Sequence, residues 1–245
     1  MRENVFALVM AGGIGTRMGA QVPKQFLMLD GRPILAYTTA RFAAEPVFDK
    51  VIVLIPSDWT EEAEKILTQY LPGEQRARIA VTAGGASRND TLMNGIAYIE
   101  EHFGLDEETV IVTHDSVRPF VTHQMIMENI DCARRFGACG TAVPASSRVI
   151  RSGDGQTVDD IPDRHLFYQA QTPQSFRAMQ LRTYYQSLTD AQKDVLTDAC
   201  RIMAMKGVQV RIVEGSRDNF KITYPADLVR ARALIKARKA APAES

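Results

Sequence analysis

The chain reads as an α/β protein built on a mostly parallel sheet with helices on both faces. Three observations predict this class. Short β-rich runs alternate with segments of helical periodicity, the strongest runs are apolar without interruption, and a glycine-rich loop follows the first of them. A run such as Val51-Ile52-Val53-Leu54-Ile55 suits a strand covered on both faces, whereas a half-solvated strand would alternate apolar and polar residues. At 245 residues the length fits one domain with a sizeable core.

Residues 5–10 form the first strand; Glu3 and the immediate Gly12-Gly13-Ile14-Gly15 argue against a signal peptide. Pro33 opens a helix after an Asp30-Gly31 turn, and residues 58–60 cap the next one. Further strands are expected over 51–55, 78–81, 110–113, 140–143 and 208–213. Residues 89–103 carry Leu92, Met93, Ile96 and Ile99 at helical spacing, and a helix over 122–136 is stopped by Gly137. Met125, Met127 and Ile130 on that helix read as core, and Trp59 as packing at a helix start. In the basic C-terminal segment, Pro225, Leu228, Ala231, Leu234 and Ile235 form an apolar stripe that docks a last helix on the body.

Residues 146–171 break this rhythm. Around Ser152-Gly153-Asp154-Gly155 the pattern is a turn flanked by strand-like alternation, which predicts a projecting β-arm. An arm that buries nothing on its own domain needs a partner, so a homodimer joined through it is expected. The expected organisation is a single domain, 1–245, with an arm at 146–171.

The 29 Lys and Arg residues balance 29 Asp and Glu, which excludes nucleic acid or anionic membrane as a partner held by bulk charge. No stretch approaches the ~20 apolar residues that span a bilayer. Any anionic ligand must be met by a local cluster of cations. Cys132, Cys139 and Cys200 are too few and scattered for a disulfide framework, which points to the cytoplasm. His114, His123 and Cys132 match no usual zinc spacing.

Met10-Ala11-Gly12-Gly13-Ile14-Gly15-Thr16-Arg17-Met18 follows the first strand, at the carboxyl edge where open α/β sheets bind ligands. The dinucleotide fingerprint fails, because a G-x-G-x-x-G frame from Gly13 meets Met18 at its last position. The second strand also ends in Ile55-Pro56-Ser57 with no acidic residue, against a nicotinamide-dependent dehydrogenase. No G-K-[ST] occurs either. Arg17 and Lys24 give the loop two cations suited to a polyphosphate. Asp115 ends the run 110–115, where a hard carboxylate suits Mg²⁺ beside phosphates.

These motifs, with Pro23-Lys24-Gln25, Gly84-Gly85-Ala86-Ser87-Arg88-Asn89-Asp90-Thr91, His114-Asp115-Ser116-Val117-Arg118-Pro119, Thr172-Pro173-Gln174 and Asn219-Phe220-Lys221-Ile222-Thr223, resemble the sugar-phosphate cytidylyltransferases over nearly the whole chain. The resemblance implies a Rossmann-like nucleotidyltransferase fold and an enzyme that couples CTP to a polyol phosphate, releasing pyrophosphate. It implies catalytic roles for Arg17 and Lys24, and nucleotide contacts from Met10, Ala11, Gly12, Gly13, the residues Gly84 to Thr91, and Ser116. Arg164, Thr172 and Lys221 match the positions that hold the acceptor phosphate. Asp115 is the expected Mg²⁺ ligand and Asp218 a second candidate; Arg118 is read equally as a nucleotide contact or an internal ion-pair partner.

Asp115-Ser116-Val117-Arg118-Pro119-Phe120, Tyr168-Gln169-Ala170-Gln171-Thr172 and Thr197-Asp198-Ala199-Cys200 resemble the ribitol-phosphate branch more than the methylerythritol-phosphate branch of isoprenoid synthesis. The chemistry so implied needs no general base, because a phosphomonoester has its second pKa near ~6 and is ionised at neutral pH. A catalytically silent nucleotide-binding regulator is the remaining rival, disfavoured by the joint presence of Arg17, Lys24, Asp115 and Lys221.

Overall fold

The first strand decides the layering. In β1 (Val5–Met10) every residue is buried, with Val5, Ala7 and Val9 in one apolar cluster and Phe6, Leu8 and Met10 in another. Strand side chains alternate between faces, so two separate cores require a sheet covered on both sides. The computed structural model describes residues 4–13 and 22–240.

After β1, a small hairpin of β2 (Met28–Leu29) and β3 (Arg32–Pro33) turns through Asp30 and Gly31, both with positive φ (51° and 81°). This is the geometry for which Asp-Gly is favoured in two-residue turns. The chain continues through α1 (Ile34–Ala43), β4 (Lys50–Ile55), α2 (Thr60–Tyr70), α3 (Gly73–Ala77), β5 (Ile79–Ala83), α4 (Arg88–Phe103) and β6 (Val110–Asp115). Then come α5 (His123–Phe136), β7 (Ala138–Pro144), β8 (Tyr168–Arg177), α6 (Ala178–Gln186), α7 (Asp190–Asp194), α8 (Ala199–Met205), β9 (Arg211–Glu214) and α9 (Pro225–Ala240).

Among the described residues, seven strands form one sheet in the order β5-β4-β1-β6-β8-β7-β9. The pairs β4–β5, β1–β4, β1–β6 and β7–β9 are parallel, as the α/β alternation predicts. β8 is antiparallel to both β6 and β7, a direction that the α/β alternation does not predict. It is the return leg of the excursion that leaves after Pro144, so direct pairing of β7 with β8 forces opposite directions. The part of the expected arm from 168 to 171 therefore belongs to the sheet.

The rest of the excursion projects as expected but is not a paired ribbon. Its one backbone bridge among the described residues joins Arg151 to Asp160, and Ile150, Val158 and Ile161 are each more than half exposed. Helix boundaries follow their caps. Ser87 and Asp90 form a reciprocal capping box on α4, Thr122 caps α5, and Gly137 ends α5 with φ 83°. The expected side-chain cap at 58–60 is absent; α2 is instead entered through a 3₁₀ turn, Ser57–Trp59. Trp59 packs on Phe26 at 5.5 Å. On α9, Ala231 and Ile235 are buried against Leu29, Ile34, Val117, Phe120 and Ile222, so the last helix docks as its stripe predicts. No described helix is long and apolar enough to cross a membrane.

α4 crosses the sheet at Gly95, where a Cβ would lie 2.9 Å from Leu8 Cδ1 and 3.1 Å from Leu54 Cδ1. Gly95→Val should therefore destabilise the fold by about 1–3 kcal/mol through overpacking, measured by urea denaturation. A variant as stable as the native protein would contradict this close approach.

Candidate active site

The central strands bring their carboxyl ends to one edge. Met10 and Asp115 are register partners across β1 and β6, the Ser116 amide donates to the Met10 carbonyl at 3.0 Å, and the Gly84 amide donates to Ile55 O at 2.7 Å. The chain runs from β1 outward to β4 and β5, then crosses to β6 on the other side, so the loops diverge around a crevice. A cavity of about 310 Å³ fills it.

One wall is the turn Gly12-Gly13 with Lys24 and Gln25. Gln25 Nε2 donates to Ala11 O at 2.7 Å, and Lys24 Nζ donates to Ile222 O at 3.3 Å. Lys24 is 6% exposed, so its ammonium is held at the cavity rather than free in solvent.

The opposite wall is the loop entering α4. Gly85 is required by space, since a Cβ there would meet Asp90 Cβ at 2.4 Å and Thr91 N at 2.8 Å. The Gly85 amide donates to Thr91 Oγ1 at 2.9 Å, and that hydroxyl donates to Ser87 O at 2.8 Å. Asp90 accepts from the Ser87 amide at 3.2 Å and from the Ser87 hydroxyl at 2.8 Å, while Tyr185 Oη donates to its other oxygen at 3.0 Å. These bonds, Ser87 first and then Tyr185, hold the Asp90 carboxyl below its usual pKa. The folded loop is thus fixed without a ligand.

Asp115 forms the floor. Its Oδ1 meets Arg88 Nη1 at 2.6 Å, and its Oδ2 meets Lys221 Nζ at 3.1 Å and Arg118 Nε at 3.3 Å. Burial alone would raise this carboxyl's pKa, but Arg88, Lys221 and Arg118 together hold it well below the carboxylate range. Behind it runs a chain of neutral hydrogen bonds. His114 Nε2 lies 3.0 Å from Arg118 O, a carbonyl that only accepts, so Nε2 carries the proton and Nδ1 accepts from Thr172 Oγ1 at 3.0 Å. Thr172 Oγ1 in turn accepts from the Asp115 amide at 3.1 Å. Burial pushes His114 down to about 4, so it is uncharged at neutral pH. Arg118 Nη1 donates to Asn219 O at 2.8 Å, and Asn219 Nδ2 donates to Thr172 O at 2.8 Å.

The described lining holds three cations, Lys24, Arg88 and Lys221, against the single carboxylate of Asp115, in a chain of zero net charge. Two glycine-lined walls and a cationic floor are suited to phosphate chemistry by positioning and charge neutralisation. A family model described as IspD, 2-C-methyl-D-erythritol 4-phosphate cytidylyltransferase, matches residues 5–237. The chain belongs to this cytidylyltransferase family.

This member of the family is 45% identical to the ribitol-5-phosphate cytidylyltransferase of Lactiplantibacillus plantarum, over 96% of this chain and 99% of that protein. It is 44% identical to the Streptococcus pneumoniae protein of the same name, over 95% and 99%. Solved structures with the same fold include the 4-diphosphocytidyl-2C-methyl-D-erythritol synthase of Anaerococcus prevotii, 25% identical, covering 96% of each chain at a TM-score of 0.77. The 2-C-methyl-D-erythritol 4-phosphate cytidylyltransferase of Francisella tularensis is 27% identical, covering 94% of this chain and 99% of that one, also at 0.77.

Of the residues singled out in the sequence, Met10, Gly12, Gly13, Lys24, Gly85, Ala86, Ser87, Arg88, Thr91, Asp115, Ser116 and Lys221 line this cytidylyltransferase's cavity. Arg17 lies outside the described residues. Ala11, Gly84, Asn89 and Asp90 sit behind the lining and shape it through their bonds or packing. Thr172 is 3% exposed and lies beneath Asp115, with its hydroxyl committed to His114 and the Asp115 amide. Arg164 stands on the exposed arm, away from the cavity of its own chain. Asp218, the weaker metal-ligand candidate, pairs with Arg238 at 3.1 Å and is not among the residues that line the cavity. Arg118 is the internal ion-pair partner of the two readings. Tyr185 was missed, because nothing local in sequence ties it to a loop 95 residues away.

Asp115→Asn leaves three cations facing a neutral amide and should cost about 3 kcal/mol at pH 7, measured by denaturation. Because the native carboxyl titrates below its unfolded value near ~3.9, its contribution is complete above that pH and is lost as pH falls below it. The stability gap between native and variant should therefore close between about pH 5 and acid. A gap independent of pH would contradict an ionised Asp115.

Proposed function

We propose that this chain transfers the cytidylyl group of CTP to D-ribitol 5-phosphate, forming CDP-ribitol and pyrophosphate. The choice of acceptor is carried by the 45% identity, across 96% of the chain, to a relative named for ribitol 5-phosphate. The reaction class is supported by a cavity in which cations outnumber acids and no nucleophilic dyad is needed.

An oxygen of the acceptor phosphate attacks the α-phosphorus of CTP. The new P–O bond forms as the bond to the α,β-bridging oxygen breaks, and pyrophosphate leaves with that electron pair. The attacking oxygen is already ionised near neutral pH, so no side chain must remove a proton. What the protein supplies is the approach of two anions. Lys24 on one wall, with Arg17 from the segment outside the described residues, would offset the charge gathering at the α-phosphorus, and Lys221 on the floor would meet the acceptor phosphate. Gly85, Ala86 and Ser87 line the cavity, and their backbone groups would meet the base and ribose.

Mg²⁺ is the proposed cofactor, and Asp115 would hold it. Mg²⁺ characteristically takes one or two carboxylates with substrate phosphates and water, and Asp115 is the one carboxylate in the described lining. When bound, Mg²⁺ would supply further neutralisation of phosphate charge.

The exposed apolar residues of the arm, Val149, Ile150, Val158, Ile161 and Leu166, support a homodimer joined through it. Arg164 and Thr172 enter the acceptor reading differently: Arg164 would reach the cavity of the partner subunit, and Thr172 would act by fixing Asp115. Three cysteines without a pairing pattern support a cytoplasmic setting.

Pyrophosphate release with CTP and Mg²⁺ should favour ribitol 5-phosphate over 2-C-methyl-D-erythritol 4-phosphate by at least about tenfold in kcat/KM. The reverse preference would assign the chain to the methylerythritol reaction named by its family model. CTP binding without turnover of either acceptor would instead make it a silent nucleotide-binding regulator. Deleting residues 146–161 should turn the dimer into a monomer in sedimentation; a truncated protein that still sediments as a dimer would remove the arm from the interface.

A further inference from the structure

The loop that enters α4 has almost no backbone donor to spare. The Gly84 amide is bound to Ile55 O, the Gly85 amide to Thr91 Oγ1 and the Ser87 amide to Asp90 Oδ2. Of these four consecutive amides, that of Ala86 alone has no hydrogen-bond partner among the described residues, and Ala86 lines the cavity. Its direction is set by how its neighbours are held on Asp90. Gly85 packs directly on Asp90 with no room for a side chain between them, and Oδ2 grips Ser87 through both its amide and its hydroxyl.

That one oxygen, with the Asp90 amide bonded to Ser87 Oγ at 3.1 Å, already completes the helix cap. The other oxygen takes a bond from outside the loop, from Tyr185 Oη on α6 at 3.0 Å. An aspartate's terminal torsion is broad, so a carboxylate bonded at one oxygen can swing, whereas bonds at both oxygens fix its plane. Tyr185 is itself held in place. Ala178 and Leu181 bury the inner face of α6, and Lys193 Nζ lies 5.2 Å from the Tyr185 ring centroid. Burial, and then the neighbouring Asp90 carboxylate, push the Tyr185 phenol up from its usual pKa, so it keeps its proton and donates.

We propose that Tyr185 is a positioning residue for the nucleotide: by fixing the Asp90 carboxylate it presets the Gly85-Ala86-Ser87 wall, with its one free amide, before CTP arrives. Presetting the wall strengthens binding because the loop is not ordered at the ligand's expense. The proposal rests on the cytidylyl-transfer reading above in naming CTP as the ligand, and not on which polyol is the acceptor. The competing account is a plain tie between α6 and α4. Arg182 and Glu100 join the same two helices near the C-terminal end of α4, away from the loop, and supply the control.

The test compares Tyr185→Phe, which removes the hydroxyl and keeps the ring, with Arg182→Gln in the full-length protein, by calorimetric titration with CTP and steady-state pyrophosphate release. Tyr185→Phe should weaken CTP binding and raise KM for CTP about fivefold, while kcat and KM for ribitol 5-phosphate stay within about twofold. Arg182→Gln should bind CTP as the native protein does. Asp90→Asn should also weaken CTP binding, and adding Tyr185→Phe to it should cost little more, because the tyrosine acts through that carboxylate. Unchanged CTP affinity in Tyr185→Phe overturns the proposal, as does full additivity in the double variant. An equal loss in Arg182→Gln would reduce Tyr185 to a tie between helices. A native protein that binds CTP but turns over neither acceptor would sink the cytidylyl-transfer reading, while the calorimetric affinities would still decide the role of Tyr185. A native protein that binds no CTP overturns both.

Discussion

One buried carboxylate organises this protein's site. Asp115 stands at the end of β6 with both oxygens engaged, and Arg88, Arg118 and Lys221 reach it from three separate segments. A buried charge is tolerated only when it is paired and hydrogen-bonded, so those segments are drawn together by the same cost that would otherwise expel the carboxylate. Arg88 ties in the loop that starts α4, Lys221 the segment before α9, and Arg118 the turn after β6. The pairs serve the fold and also aim cations at a cavity.

The strand that breaks the parallel rule is part of this arrangement. β8 returns from the arm between β6 and β7, which brings Thr172 beneath Asp115 and lets its hydroxyl link the Asp115 amide to a neutral His114. A parallel strand in that place would need a long crossover, and the arm would not emerge beside the site. The β7–β8 excursion thus links the position of the carboxylate and the exposed apolar segment that supports dimerisation.

Much of the sheet was legible because its strands are continuous apolar runs, as at 51–55 and 110–113, and the helices over 89–103 and 122–136 because their caps and apolar spacing agree. β8 was not, since Tyr168-Gln169-Ala170-Gln171-Thr172-Pro173 is polar and contains a proline; its burial comes from tertiary neighbours rather than its own composition. The lining of the cavity was largely legible through glycines and cations in short motifs. The long-range bonds were not: that Thr172 faces inward, that Asp218 pairs with Arg238, and that Tyr185 holds Asp90 depend on segments distant in sequence. Zero net charge likewise hid a cavity in which three cations face one acid.

The central claim is that Asp115 remains an anion because three cations hold it so. The most direct measurement is a carbon-13 NMR titration of the Asp115 carboxyl in the full-length protein, assigned by comparison with Asp115→Asn. The account predicts a resonance that stays at its ionised position as pH is lowered through the ordinary carboxylate range, up to the point where the protein unfolds. A titration midpoint near 4, like that of a solvated aspartate (~3.9), would contradict it.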